Sequence, residues 1–297
     1  MSASVERGKA RTAWLFLAPA LGLIGVFFFL PVIAGLLLSL TDFDLYAIGA
    51  PETARFVGLK NYASTLANPL FWQAVRNTLY FVLVGGPLSV LVSLAAALLL
   101  QARSTRFRSL FRTVYFAPVV TTLVAVAIVW RYLYHPRYGF LNHALGWFGV
   151  SPIDWLGDPT WAMPGIILLA VWKNFGYNML IFAAGLGSIP EELYEAASID
   201  GAGAWARFWN ITLPGLAPVF LFVSVTTMIG YFQLFAEPYV MTQGGPLRST
   251  TSLVLLMYEE GFRWWRMGIA STMAALLLVI TLAGALLQLA LRRREHT

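Results

Sequence analysis

Six long apolar runs constrain this chain more than any other feature of its sequence. A helix needs about 20 predominantly apolar residues to cross the roughly 30 Å hydrocarbon core of a membrane. Runs of about that length extend over residues 14–40, 77–100, 111–132, 163–186, 216–235 and 268–291. Lipid offers no hydrogen-bond partners, so a spanning backbone must bond internally, and these runs lack the strict alternation of barrel strands. We therefore predict an all-α integral membrane protein with about six transmembrane helices.

The composition supports a membrane location and excludes several other classes. Charged residues make up 11% of the 297 residues, whereas soluble domains carry about 25%. The chain has no cysteine, so disulfides and thiolate chemistry are excluded. Its formal net charge is +6, but the basic residues cluster at the ends of apolar runs, where membrane lipid explains them better than nucleic acid. We predict one membrane domain over residues 1–297, with lipid and no nucleic acid among its partners.

The basic clusters predict how the chain is oriented in the membrane. They are Arg7, Lys9 and Arg11 before the first run, Arg103, Arg106, Arg108 and Arg112 after the second, and Arg292 to Arg294 after the last. With six spans, all three clusters fall on one side, which the positive-inside rule makes cytoplasmic. Both termini are predicted to be cytoplasmic. The link at residues 188–214 falls on the same side but is acidic, with one arginine, Arg207, among four carboxylates.

This acidic link between the fourth and fifth runs carries signals for a short helix with defined ends. Pro190 suits a first helical position, and the glutamates after it favour the positive end of the helix dipole. Gly201 supplies a left-handed stop. A second short helix is predicted at residues 202–209, and Pro214 opens the fifth span. The link is therefore expected to form a compact helix-turn-helix on the inner face.

The same link resembles the EAA loop of permease subunits of binding-protein-dependent ABC importers. The matching pattern is Glu195-Ala196-Ala197, Gly201, Ile211 and Leu213-Pro214, and the extended pattern of the carbohydrate branch adds Asp200, Ala202, Phe208 and Pro218. The resemblance also covers residues 56–62, Trp172-Lys173 and residues 241–246. It implies uptake of a sugar or oligosaccharide across the bacterial cytoplasmic membrane.

The resemblance also implies the partners and the working part of the link. The link would be a coupling helix that contacts an ATPase subunit through Glu195, Ala196, Ala197, Asp200, Gly201, Ala202, Leu213 and Pro214. The implied complex contains a second, non-identical permease subunit, two ATP-binding cassette ATPases and an extracytoplasmic solute-binding protein; a homodimer of permeases stays open.

The chain has no Gly-x-x-x-x-Gly-Lys-Ser/Thr sequence, so ATP and Mg²⁺ belong to the ATPases. We predict a transport subunit that is not an enzyme and holds no cofactor or metal. For the link at residues 188–214, the alternative to a coupling helix is a helix that lies on the membrane surface with its acidic side chains in solvent.

Polar residues inside the runs are candidates for the substrate pathway. They are Lys173, Asn174, Tyr177 and Asn178 in the fourth run, Thr227, Tyr231 and Gln233 in the fifth, and Thr121 and Thr122 in the third. Neutral hydroxyls, amides and aromatic faces suit a sugar, although the same groups also join helices in membranes. Threonine hydroxyls can equally bond to their own helix.

The deep charge of Lys173 suggests an alternative cargo. None of the six runs contains Asp or Glu, so we expect this ammonium group to meet the partner permease, water or the substrate. A phosphate would suit it, which leaves glycerol 3-phosphate or a related polyol phosphate as the alternative cargo. The absence of intramembrane acids disfavours an ion-coupled secondary transporter, the rival from another class.

Overall fold

The computed structural model describes residues 2–50, 54–101 and 107–294, and the regular structure in these ranges is helical, without a strand. Within these described ranges, four helices are long and apolar enough to cross a membrane, and the number rises to six when each of two bent helix pairs counts as one span. This confirms the all-α class and the expected number of spans. The chain divides into two compact units, residues 1–68 with 257–276 and residues 69–256 with 277–297. Arg103 and Arg106, used above to predict the orientation, lie outside the described residues.

In the first unit, the first span consists of helices α1 (Ser2–Ile24) and α2 (Leu30–Leu38), joined by a π-helical turn at Gly25–Phe29. Two short helices follow, α3 (Leu45–Gly49) and α4 (Lys60–Ala67). The Asn61 amide donates to the carbonyls of Ser39 and Thr41 at 2.9 and 2.7 Å. The motif at residues 56–62 therefore fastens the end of the first span.

In the second unit, the second, third and fourth spans begin three to eight residues before the apolar runs that predicted them. The helices of this unit are α5 (Pro69–Tyr80), α6 (Gly86–Gln101), α7 (Arg108–Val120), α8 (Leu123–Leu133), α9 (Phe140–Gly146), α10 (Pro159–Gly187), α11 (Glu191–Ile199), α12 (Ala204–Arg207), α13 (Leu213–Gly215), α14 (Ala217–Phe232) and α15 (Ala236–Met241). Helices α16 (Leu253–Tyr258) and α17 (Met267–Arg294) each have residues in both units. The second span starts at Pro69, before the predicted run at residues 77–100. The run missed this first part because α5 carries polar residues such as Gln73 and Arg76, which a search for apolar runs leaves out.

The third span is broken, whereas the sequence suggested one continuous run. Helices α7 and α8 meet at an angle of 100°. Pro118 lies inside α7, and Thr121 and Thr122 both adopt extended backbone conformations after it. Hydropathy detects apolar length and not backbone direction, so this break is visible only in the structure.

Helix α10 packs closely against α7 near this break. A Cβ atom at Gly176 would collide with the carbonyl oxygen of Tyr115. Glycine therefore allows the two helices to approach, as small residues do in membrane helix pairs. One turn earlier on α10, Lys173 is brought beside the end of α7.

The fifth span is bent by 66° between residues 204–215 and α14. Its first part runs from Ala204 through a π-helical turn at Phe208–Thr212 to Gly215, so the predicted second short helix at residues 202–209 is the start of a longer segment. Pro214 and Pro218 lie at the bend. Proline has no backbone N–H to donate, so each position lacks one helical hydrogen bond and favours a change of helix direction. The acidic link thus runs directly into the wall of the transmembrane region.

Candidate cavity and surface helix

A cavity of ≈ 570 Å³ opens between α10, α14 and the break between α7 and α8. Its lining includes six of the nine predicted pathway residues: Asn174, Tyr177, Asn178, Thr227, Tyr231 and Gln233. The other lining residues are Phe81, Val119, Leu123, Thr226, Gly230, Leu234, Phe235, Ala236 and Glu237. The cavity therefore combines amides and hydroxyls with aromatic and aliphatic walls.

The polar stripe of α10 has two roles in this cavity. The amide of Asn178 donates to the hydroxyl of Thr227 at 2.9 Å, and both residues are buried. Tyr177, by contrast, is 54% exposed. Part of the stripe therefore joins α10 to α14, and part of it faces open space.

Lys173 is not among the residues that line the cavity, and its charge has acceptors within this chain that the sequence analysis did not anticipate. Its ammonium group donates to the carbonyls of Pro118, Val119 and Thr121 at 2.8, 3.2 and 2.9 Å. The end of a helix leaves carbonyl groups without intrahelical partners and carries partial negative charge, so it attracts a cation. The charge is thus satisfied within this chain, by backbone acceptors that a search for carboxylates does not reveal.

Thr121 and Thr122 also lie outside the residues that line the cavity. The Thr121 hydroxyl donates to the carbonyl of Pro118 at 2.6 Å, within its own chain segment. This matches the local bonding that threonine often shows in membrane helices. The α7–α8 break is therefore held by Lys173 and Thr121 together.

Glu237 is a lining residue that the sequence analysis missed. It lies two positions beyond the end of the fifth apolar run at residue 235, and it belongs to the short helix α15. Burial raises the pKa of its carboxyl group, whereas its own backbone N–H and the positive charge of Lys173 favour the ionised form. The only feature of the sequence that could have indicated a cavity position for Glu237 was its place just after an apolar run.

Helix α11 ends as the sequence predicted. The N–H of Ala202 donates to the Ala197 carbonyl at 2.8 Å, and the N–H of Gly201 donates to the Ser198 carbonyl at 3.2 Å. These two bonds form a Schellman motif, and Gly201 has a φ of +77°. The left-handed stop is therefore confirmed. At the other end, Pro190 precedes the first helical residue, one position earlier than predicted.

Two side-chain contacts hold α11 against the segment that follows it. The hydroxyls of Tyr194 and Thr212 lie 3.0 Å apart, and Arg207 donates to the Ser198 hydroxyl at 3.0 Å. The guanidinium of Arg207 is thus engaged inside the hairpin. Helix α11 and the start of the fifth span form one connected piece.

The outward surface of α11 combines a carboxylate with apolar side chains. Glu195 is exposed and makes no ion pair with any residue that the structure describes. Ile199 is 88% exposed and Leu193 50%. Ala196, Asp200, Gly201 and Pro214 are also exposed, and Ala197, Ala202 and Leu213 are half-buried. The predicted coupling residues therefore lie on or beside one accessible hairpin.

Bent helices around a polar cavity, with a helical hairpin between the fourth and fifth spans, define a membrane transport permease. Residues 89–296 match the family described as the binding-protein-dependent transport system inner membrane component. The chain belongs to this family, so it is a transport component of an ABC importer and not an enzyme.

Relatives cover most of the chain. The lactose transport system permease protein LacF of Rhizobium radiobacter is 39% identical over 265 residues, which are 88% of this chain and 87% of LacF. The trehalose/maltose transport system permease protein MalF of Thermococcus litoralis is 34% identical over 293 residues, 99% of this chain and 97% of MalF. The arabinooligosaccharides transport system permease protein AraP of Bacillus subtilis is 34% identical and covers 95% of this chain and 89% of AraP.

A solved structure shows the same fold. The chain matches a crystal structure of a bacterial ABC transporter involved in the import of the acidic polysaccharide alginate, with a TM-score of 0.80 and 23% identity over 99% of both chains. At this level of identity the likeness establishes the fold alone.

Proposed function

We propose that this chain is one permease subunit of an ATP-driven importer that moves a sugar or oligosaccharide across the bacterial cytoplasmic membrane. The main structural support for this proposal is the accessible hairpin between the fourth and fifth spans, on which Glu195 and Gly201 are exposed. The names of the relatives support the cargo class, since lactose, trehalose/maltose and arabinooligosaccharides are all saccharides.

The proposed complex contains a second, homologous but non-identical permease subunit and two ATPase subunits, which carry ATP and Mg²⁺. An extracytoplasmic solute-binding protein delivers the cargo; one matching structure is described as alginate transporter in complex with a periplasmic protein bound to alginate pentasaccharide. Both termini and residues 188–214 face the cytoplasm in this proposal, so that α11 meets the ATPases.

The proposed coupling path runs through the hairpin. An ATPase that closes on α11 would move Tyr194 and Ser198, which are bonded to Thr212 and Arg207. These partners belong to the segment that continues into α14, whose residues line the cavity. A movement of α11 is thereby transmitted to the cavity wall as rigid-body motion of packed helices.

The proposed cargo path is the cavity lined by Asn174, Tyr177, Asn178, Thr227, Tyr231 and Gln233. Sugars present hydroxyl groups for hydrogen bonds and apolar ring faces for stacking on aromatic rings. Tyr231 is itself stacked on Phe81 at a centroid distance of 4.8 Å, which fixes its ring. No cation lines the cavity among the described residues, so the structure gives no support to a phosphorylated cargo.

The test is reconstitution of the whole complex in proteoliposomes, with lactose and maltose as cargoes. Glu195→Ala is expected to reduce sugar-stimulated ATP hydrolysis and uptake together by at least about tenfold, because a charge-assisted bond to a partner contributes about 1.5–3 kcal/mol. Glu192→Ala is the matched control, since it removes another exposed carboxylate of the same helix.

Normal insertion with loss of both activities in Glu195→Ala alone supports the proposal. Equal, full activity of both variants would mean that α11 is a membrane-surface helix without a coupling role. Absence of saccharide uptake by an intact wild-type complex would refute the cargo class.

A further inference from the structure

Glu237 is the only residue with a formal charge among the described residues that line the cavity. The rest of the lining consists of neutral polar, aromatic and aliphatic side chains. Within the described residues, Glu237 makes no ion pair as close as 4.0 Å. In its ionised form, Glu237 therefore sets the sign of the charge that this chain presents to a cargo.

The nearby lysine does not cancel this role. A lysine ammonium has three donor hydrogens, and Lys173 makes three hydrogen bonds to the carbonyls at the end of α7. Its donors are thus used by the backbone, and Lys173 is not among the lining residues. Burial raises the pKa of Glu237, whereas its own backbone N–H and the positive charge of Lys173 favour the ionised form, and the half-buried side chain borders the open cavity. Lys173 itself offers no free donor to an anionic cargo.

We propose that Glu237 selects cargo by charge: it accepts neutral sugars and sugars with an amino group, and it excludes sugars with a carboxylate, sulfate or phosphate. A carboxylate accepts hydrogen bonds from sugar hydroxyls and forms a stronger, charge-assisted bond with an ammonium group. An anionic group placed beside it meets like-charge repulsion, which is stronger in a confined site than in water. This inference rests on the proposed function, because it assigns the cargo class for the same cavity.

The experiment measures direct binding to the purified complex of both permeases and ATPases, without the solute-binding protein, so that the specificity of that protein does not enter. The probes are lactose and maltose, their analogues with a free 2-amino group and their analogues with a uronate ring. Glu237→Gln preserves the size of the side chain and removes its charge. Asp154→Asn is the matched control, since Asp154 is an exposed acid that does not line the cavity.

Wild type is expected to bind the amino probe at least tenfold more tightly than the uronate probe. Glu237→Gln should reduce this ratio to within about threefold, while Asp154→Asn keeps the wild-type ratio. Gln233→Lys places a cation at an exposed lining position and should also favour the uronate probe, which gives a second test if Glu237→Gln does not assemble.

An unchanged ratio in either assembled variant overturns selection by the charge of the cavity, and with it the role of Glu237. That result leaves the proposed function intact as long as the wild-type complex takes up the neutral saccharide. Failure of the intact wild-type complex to bind or transport any of the saccharides would instead refute the proposed function, so the two failures are distinguishable.

Discussion

The side-chain amide of Asn178 donates a hydrogen bond to the hydroxyl of Thr227 at 2.9 Å, and this bond joins helix α10 to helix α14 at the wall of the cavity. Both side chains are buried. Hydrogen bonds between membrane helices contribute modestly, about 0.6 kcal/mol on average and about 1.7 kcal/mol at most. We expect a double-mutant cycle of Asn178→Ala and Thr227→Val to give a coupling energy in this range, measured as the free energy of unfolding in detergent.

The matched control for this bond is the neighbouring Thr226→Val. The Thr226 hydroxyl donates to the carbonyl of Phe222 in its own helix, so its effect should add to that of Asn178→Ala. If the two cycles gave the same coupling energy, the Asn178–Thr227 bond would have no specific role.

Gly201 should tolerate asparagine better than valine. Its φ of +77° lies in the left-handed region, which costs a non-glycine residue about 1–2 kcal/mol and a β-branched residue more. Apart from its two chain neighbours, no residue that the structure describes has an atom within 4 Å of a Cβ placed there. We therefore expect Gly201→Val to abolish most of the coupled ATP hydrolysis while the protein still inserts, and Gly201→Asn to retain more than half of it.

Gly203→Val is the matched control, because Gly203 is also exposed but has a φ of −67°. In the described part of the chain, a Cβ at Gly203 would likewise meet no atom within 4 Å beyond its chain neighbours. This variant should behave as wild type. If valine at 203 were as harmful as valine at 201, the bulk of the side chain and not the left-handed geometry would be responsible.

Lys173→Met should destabilise the permease regardless of the cargo. The substitution removes the donor to three carbonyls at the α7–α8 break, of which the Pro118 and Val119 carbonyls are in part-buried bonds. Leaving a buried acceptor unsatisfied costs about 1–3 kcal/mol, so a loss toward the lower end of this range is expected. The melting temperature in detergent should fall, and uptake of neutral and anionic probes should fall by the same factor. Lys60→Met, which removes an exposed lysine at the start of α4, should change neither. A selective loss of anionic cargo in Lys173→Met would restore this lysine to the substrate pathway.

The proposed orientation can be tested by labelling single introduced cysteines, because the chain has no cysteine of its own that would react. Ile199 is 88% exposed on α11, and Leu247 is 84% exposed in the connection after the fifth span. We expect Leu247→Cys to react with a membrane-impermeant maleimide added outside intact cells, and Ile199→Cys to react only after permeabilisation. Labelling of Ile199→Cys from outside would reverse the proposed topology. Ile199 is preferable to Ser198, whose hydroxyl holds Arg207.

The features recognised correctly in the sequence are those with local causes. Apolar length determines where a helix can span a membrane, so most of the predicted spans lie close to the observed helices. The stop of α11 depends on the backbone freedom of one glycine, Gly201, and was predicted for that reason. By contrast, the 100° break after Pro118 was missed, because the apolar run at residues 111–132 continues across it.

The sequence by itself determined the helical membrane class, the number of spans and the hairpin between the fourth and fifth of them, since all of these follow from hydropathy and from the chemistry of neighbouring residues. Only the tertiary structure decided the roles of the two charges near the cavity. Lys173 lies deep in a predicted span, yet it bonds to carbonyls 52 to 55 positions away. Glu237 lies outside the predicted spans, yet it lines the cavity. The partners of a buried charge are set by three-dimensional proximity, and backbone carbonyls become acceptors only where a helix ends or breaks.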